Sequence, residues 1–245
     1  MPVLLACDHA SSRVPVALGN LGLTASHLAG HIALDIGAAA LTRSLASLLQ
    51  VPAVLSGYSR LVVDCNRHLE DPSAFPAVSD GVSIPGNSNL TAEARSARAD
   101  ALYWPYHGAI ARILDNPGPL PALVAVHSFT PRLDGVARPW HVGVLWDEDD
   151  RLAAPLLRSL RADGRWCVGD NEPYSGRYPA GYTMDAHAER RGLPHVSIEV
   201  RQDLLATQDD VHSWAALLAT ALRPILAARF SASARPGSQA VDDGS

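Results

Sequence analysis

The sequence predicts an α/β fold built on a largely parallel sheet. Short apolar runs alternate with longer stretches of helical periodicity from end to end, and no Pro/Gly/Ser-rich linker divides the chain. A chain of 245 residues buries roughly 70% of its unfolded surface on folding, so a core can form without a disulfide or metal staple. Residues 1–230 are therefore expected to make a single domain. Residues 231–245 (SASARPGSQAVDDGS) are small, polar and aperiodic and are expected to be a disordered tail.

Taken in order, Val3–Cys7 reads as a buried strand. Asp35–Gln50 reads as a helix, because Leu41, Leu45 and Leu48 fall on one face that Leu49 widens. Apolar segments Ala53–Leu55 and Leu61–Val63 follow, parted by a turn at Ser56-Gly57. The stretch 70–90, with Pro72, Pro76 and Pro85, is expected to be a long loop. Thr91 should cap a helix reaching to Leu114, disturbed at Pro105, which lacks a backbone donor. Leu123–Val126 and Val142–Trp146 read as strands, and Asp150–Arg161 as a helix with Leu152, Leu156, Leu157 and Leu160 on one side. Thr183–Arg191 reads as a short helix capped by Thr183 and stopped by Gly192 and Pro194. Val196–Val200 is a strand, and Asp209–Arg229 a closing helix bent at Pro224.

Composition removes several function classes. The net charge is −5 and every basic residue is arginine, so chemistry that needs a lysine is excluded. Mild acidity argues against nucleic-acid binding. No apolar run approaches the roughly 18–20 residues of a membrane span, and the apolar start lacks a basic leader. Cys7, Cys65 and Cys167 show no CxxC spacing. No disulfide framework is expected, and a cytoplasmic location is.

Polar residues at strand ends direct attention to chemistry, since open α/β sheets bind ligands beyond the carboxyl ends of their strands. His9 follows the first strand, His127 follows Leu123–Val126, and Glu199 lies within Val196–Val200. Two histidines and a carboxylate can hold one zinc ion with an open position, and a further carboxylate can act as base. A single histidine at a strand end is more commonly a packing or hydrogen-bonding residue. Glu199 lies on the face opposite Ile198 and Val200, and a carboxylate in a central strand requires a partner. That partner is either an arginine such as Arg201 or a metal-bound water. In the segment YSRLVVDCNR (58–67), Asp64 is expected to neutralise Arg60 or Arg67. Two arginines against one local aspartate leave positive charge for anion binding.

Seven segments, in order, carry a family resemblance: CDHASSRVP (7–15), HIALDIGA (31–38), YSRLVVDCNR (58–67), IPGN (84–87), YHGAI (106–110), HSFTP (127–131) and HVSIEVRQDLL (195–205). Together they resemble the N-formylglutamate amidohydrolase family, across about residues 3–205. The resemblance implies a three-layer α/β/α sandwich with a mostly parallel sheet, similar to phosphorylase/hydrolase-like folds such as zinc carboxypeptidases and aspartoacylase. It implies one zinc ion (Zn2+) per chain and hydrolysis of the formyl or other acyl amide of an acidic N-acyl amino acid, N-formyl-L-glutamate first, as in amino-acid catabolism by histidine degradation.

Residue by residue, it makes His9 and His127 metal ligands and Glu199 the general acid/base. It makes Arg60, Asn66 and Arg67 the grip on substrate, with His187 near that substrate. The wider group has an HxxE ligand pattern, but here Ser12 stands where the carboxylate would be. Asp35 is the third ligand chosen in its place, its other reading being a helix N-terminal carboxylate. Asp8 and the His31/Asp35 pair, four apart on one helical face, are the fallback donors. Arg201, sharing the face of Glu199, is expected in the pocket with Tyr182 and Asn171. Two rivals stand beside this reading. One is a metal-free hydrolase using Ser11, Ser12, Ser128 or Cys7. The other is an anion-binding α/β module without catalysis. The sequence does not specify an oligomeric state.

Overall fold

The computed structural model describes residues 3–116, 122–162, 164–177 and 181–233. Six strands form one sheet: β1 (Val3–Cys7), β2 (Ala53–Leu55), β3 (Ala122–Phe129), β4 (Val142–Leu145), β5 (Val168–Asp170) and β6 (His195–Arg201), in the order β2-β1-β3-β6-β4-β5. Strands β1, β2, β3 and β6 run parallel. Strand β4 runs antiparallel to β6, and β5 runs parallel to β4. The sheet is thus mixed but mostly parallel.

Alternation along the strands builds the layers. Val3 and Leu5 of β1, Val124 and Val126 of β3, and Val196, Ile198 and Val200 of β6 share one apolar cluster. It is covered by α1 (Ala38–Leu49), by a later helix (Ala153–Ala162) and by the closing helix (Gln208–Ser233). Leu4, Ala6 and Leu123 point the other way. There they meet residues of a helical run made of Ala92–Arg98, a wide π turn at Ala99–Tyr103, and Trp104–Leu114. These are three layers, as the resemblance implied. On this second face β6 presents His195, Ser197 and Glu199, all buried. A polar row in the middle of a sheet needs a polar space above it.

Several expectations shift in detail. The first long helix starts at Ala38, not Asp35. Gly37 precedes it with φ 82°, and a Cβ there would meet Leu205 Cβ at 2.5 Å. Asp35 is therefore no helix N-terminal residue; its backbone N–H donates to the His9 carbonyl. His31 shares no helical face with it and pairs instead with exposed Asp80. Thr91 caps its helix as expected, donors and all: its hydroxyl accepts from Ala94 N. The π turn lies one turn ahead of Pro105, where the regular ladder would need the missing donor. Strand β3 extends through Phe129, so His127 sits inside it rather than after it. Leu61–Val63 is a buried turn, and β5 is a strand the apolar pattern did not reveal.

Thr183 is not a cap. It lies inside the helix Tyr182–His187, which is entered from Gly181, and its side chain is buried. Gly192 does end this region, at φ 61°. The closing helix runs to Ser233, and the rest of the expected tail, 234–245, lies outside the described residues. Its stretch Gln208–Ala228 is long and apolar enough to cross a membrane. Val211, Trp214, Leu218, Leu222 and Leu226 of that stretch are packed into the core, which accounts for its apolar character.

Candidate active site

Sheet geometry brings together residues far apart in sequence. Strand β1 delivers Asp8 and His9 at its carboxyl end, and β3 delivers His127. Strand β6 places Glu199 directly across from His127 in register. Asp35 enters from the turn before α1, tied by its own N–H to the His9 carbonyl. Candidate ligand atoms of His9, Asp35 and His127 lie within 4.8 Å of one another, and all three residues are buried.

Each imidazole faces a carboxylate at both nitrogens. Asp35 Oδ2 lies 3.3 Å from His9 Nδ1 and 2.9 Å from His127 Nδ1. On the far side, His9 Nε2 lies 2.8 Å from Asp64 Oδ1, and His127 Nε2 lies 3.2 Å from Asp8 Oδ2. That last contact is out of line for a hydrogen bond, so Asp8 Oδ2 stays buried without one, as does Glu199 Oε2. The other oxygen of Asp8 accepts from the Tyr106 hydroxyl at 2.7 Å and from the Thr183 hydroxyl at 2.5 Å. The helical run on the second face and the helix Tyr182–His187 thus both anchor this carboxylate.

Charge balance follows from these contacts. Burial opposes ionisation of Asp8, but His127, His9 and Thr183 hold it down to about 2. Burial likewise opposes charge on Asp35 and Asp64, yet the imidazoles and Arg60 keep both below the usual carboxylate range. Three ionised aspartates and one guanidinium sum to a charge of −2. Two imidazolium protons would offset it, and both imidazoles are pushed up, against the cost of burial, by these carboxylates. One divalent cation with neutral imidazoles would offset it equally. The buried oxygens of Asp8 and Glu199 that accept no hydrogen bond fit such an ion, as does a carboxylate behind each histidine. Glu199 differs from the aspartates. Its burial outweighs the attraction of His127 and raises it to about 7, a value suited to exchanging a proton near neutrality.

A cavity of about 480 Å³ opens above this cluster. Arg60, Asn66 and Arg67 line it as the sequence suggested, together with Ser197, His195, Trp146 and Tyr174. Arg60 is not a free cation, however. Its Nη2 lies 2.8 Å from Asp64 and its Nη1 lies 3.5 Å from Asp35. Arg67 has no carboxylate partner among the described residues and donates to the Asn66 carbonyl at 2.9 Å. Asn66 Oδ1 accepts from Thr183 N.

Arg201, His187, Tyr182 and Asn171 do not line the cavity. Arg201 turns to Asp203 and to the carbonyls of Arg138 and Trp140, because the strand ends there and the chain leaves the sheet. His187 is buried against His107, its Nε2 lying 3.0 Å from His107 Nδ1. Asn171 Oδ1 accepts from Trp146 N and Gly176 N and shapes a loop. Sequence reasoning assigned Asp64 only to arginine and did not find Tyr106, Thr183 or Tyr174. The spacing of Asp64 in DCNR and the place of Tyr106 at the head of YHGAI were the available signals, and Thr183 was read only as a helix cap.

The N-formylglutamate amidohydrolase family model matches residues 1–206. Among solved structures, the gene product Atu2144 from Agrobacterium tumefaciens is 38% identical with a TM-score of 0.89, the match covering 94% of this chain and 92% of that one. N-formylglutamate amidohydrolase from Ralstonia eutropha JMP134 is 18% identical with a TM-score of 0.67, covering 94% of this chain and 95% of that one. The CwlD amidase from Clostridioides difficile, solved in complex with the GerS lipoprotein, is 13% identical with a TM-score of 0.50, covering 93% and 100%. These two likenesses speak to fold alone. No curated protein matches the chain significantly. The family match over residues 1–206 spans every residue of the histidine–carboxylate cluster, and the chain belongs to the N-formylglutamate amidohydrolase family.

Proposed function

We propose that this protein is a metal-dependent amidohydrolase that removes the formyl, or another acyl, group from an acidic N-acyl amino acid, with N-formyl-L-glutamate giving glutamate and formate. Family membership supports hydrolysis of an amide bond. The observation that carries the metal dependence is the cluster of His9, Asp35 and His127, which together with Asp8, Asp64 and Arg60 is short of two positive charges, and beside which one oxygen each of Asp8 and Glu199 is buried without a hydrogen bond. Zinc, one ion per chain, suits imidazole and carboxylate donors; when bound it supplies Lewis acidity for the carbonyl and acidifies water.

The chain's own residues do the rest. Glu199 accepts the proton of the attacking water at its free Oε2 and returns it to the departing nitrogen as the C–N bond breaks. Asp64 and Asp8 hold the two imidazoles in orientation. Arg60, fixed by Asp64 and Asp35, presents its charge near the carbonyl oxygen as that atom becomes negative. Arg67 takes the α-carboxylate, and the Asn66 amide adds a donor. The serine and cysteine rivals find little support. The Ser128 hydroxyl donates to the Ile36 carbonyl, and burial pushes the Cys7 thiol up, away from a reactive thiolate.

Metal analysis of untagged protein, paired with a deformylation assay, tests the proposal. About one zinc per chain and chelator-sensitive release of formate are expected. Full activity in metal-free protein would overturn it. Binding of N-formyl-L-glutamate without turnover by the zinc-loaded protein would favour the anion-binding module.

A further inference from the structure

An acidic N-acyl amino acid carries two carboxylates, and the cavity wall offers one guanidinium not already matched by aspartate, that of Arg67. A second positive feature lies immediately behind the wall. Tyr174 lines the cavity, and its hydroxyl accepts a hydrogen bond from Arg138 Nη1 at 3.0 Å. The same guanidinium stands 4.9 Å from the centroid of the Tyr174 ring. Arg138 is only 7% exposed. Its other side-chain acceptor is Thr130 Oγ1, at 3.5 Å, and it has no carboxylate partner among the described residues.

Arg98 makes the useful contrast. It is equally buried, but its guanidinium donates to the Val62 and Gly86 carbonyls and to Asn87 Oδ1, and it does not border the cavity. It is a structural staple. Arg138 is less well satisfied and touches a cavity-lining group. Because the Tyr174 hydroxyl accepts from Arg138, its own hydrogen remains available to donate, and the positive charge behind it strengthens that donor.

We propose that Tyr174, backed by Arg138, receives the side-chain carboxylate of the substrate while Arg67 receives the α-carboxylate. This assignment rests on the acidic N-acyl amino acid reading above. Tyr174 touches the substrate, and Arg138 acts through it as a positioning residue. The competing cation is Arg177, whose guanidinium lies 4.9 Å from the centroid of the cavity-lining Trp146.

The test compares zinc-loaded enzyme on N-formyl-L-glutamate and N-formyl-L-glutamine, which differ in the charge at the end of the side chain. Wild type is expected to prefer the glutamate. Tyr174→Phe should shrink the ratio of kcat/KM between the two by about 10- to 100-fold, expressed through KM. Arg138→Ala should shrink it likewise, and Arg138→Lys should restore part of it. Tyr174→Phe on the half-exposed rim keeps the test usable if the buried arginine variants fail to fold. An equal loss on both substrates overturns the assignment, as does collapse of the ratio in Arg177→Ala but not in Tyr174→Phe. A wild type that hydrolyses both equally overturns it and leaves the amidohydrolase reading standing. A zinc-loaded wild type that hydrolyses neither substrate removes that reading itself.

Discussion

His9 and His127 meet with ring centroids 5.2 Å apart and planes inclined at 63°. Both turn Nδ1 toward the same oxygen of Asp35. A strand end and a strand interior, 118 positions apart in the chain, are thereby made into one site. The two rings could not lie this close to three carboxylates without either two protons or a divalent ion to offset the charge.

Removing a carboxylate from this arrangement should cost metal affinity in proportion to how directly it faces the ion. Asp35→Asn is expected to abolish zinc uptake. Asp64→Asn, which alters the partner behind His9 and loosens the Arg60 pair but removes no candidate ligand, should weaken zinc by about 10- to 100-fold. Competition with a chromogenic chelator reads both, and wild-type affinity in Asp35→Asn would remove Asp35 from the ligand set.

Zinc should also stabilise the fold, since the site is assembled only in the native state. At a free concentration of about 100 times Kd the gain is about 2.7 kcal/mol. Melting curves with zinc and with chelator should therefore separate for wild type and coincide for Asp35→Asn. Superimposable wild-type curves would argue that no native-state site exists.

Turnover and metal retention should part company at Glu199. Glu199→Gln keeps the shape but cannot exchange the proton, and it is expected to lose at least about 100-fold in kcat. Its zinc content should remain at the wild-type level. A metal-loaded variant with full activity would take the acid/base role away from this residue.

His107 and His187 predict a pH dependence separate from the cluster of His9, Asp35 and His127. Burial lowers both from 6.5 to about 4. An unfolded chain gains these protons near pH 6.5, whereas the native state resists them until about pH 4. The pair's contribution is therefore complete above pH 6.5 and is lost on acidification, by up to about 1.4 kcal/mol per pH unit for each imidazole. His187→Asn should flatten the change in urea midpoint between about pH 7 and 5. An unchanged slope would dismiss the pair as the cause.

Two glycines should separate function from stability. A Cβ at Gly181 would meet Asn66 Oδ1 at 2.7 Å, a side-chain end that can yield. Gly181→Ala should thus displace Asn66 and raise KM with little loss of stability. A Cβ at Gly143 would meet the backbone oxygen of Glu172 at 2.2 Å. Gly143→Ala should then cost about 1–3 kcal/mol by denaturant unfolding. The reverse pattern would contradict both placements.

Much of the frame was legible because it depends on local periodicity. Val3–Cys7 and Val196–Val200 announced strands, and the alternation of the latter placed Glu199 on the face opposite Ile198 and Val200. Helix edges were less legible. A carboxylate at Asp35 suits a helix start by its charge, and only the clash that Gly37 avoids against Leu205 shows that the chain must turn once more before the helix begins.

The order of residue types along the chain determined that this is a layered α/β protein of the N-formylglutamate amidohydrolase family, and it singled out His9, His127 and Glu199 as candidates for its chemistry. Tertiary structure alone decided how charge is shared among them. It added Asp35 to the Arg60–Asp64 pair that the sequence already suggested, turned Arg201 out to Asp203, and brought Tyr106 and Thr183 to Asp8. The reason is physical: hydrophobic alternation acts between near neighbours and is written in the sequence. An ion pair depends on which groups the packed layers bring within about 4 Å, a distance unrelated to spacing along the chain.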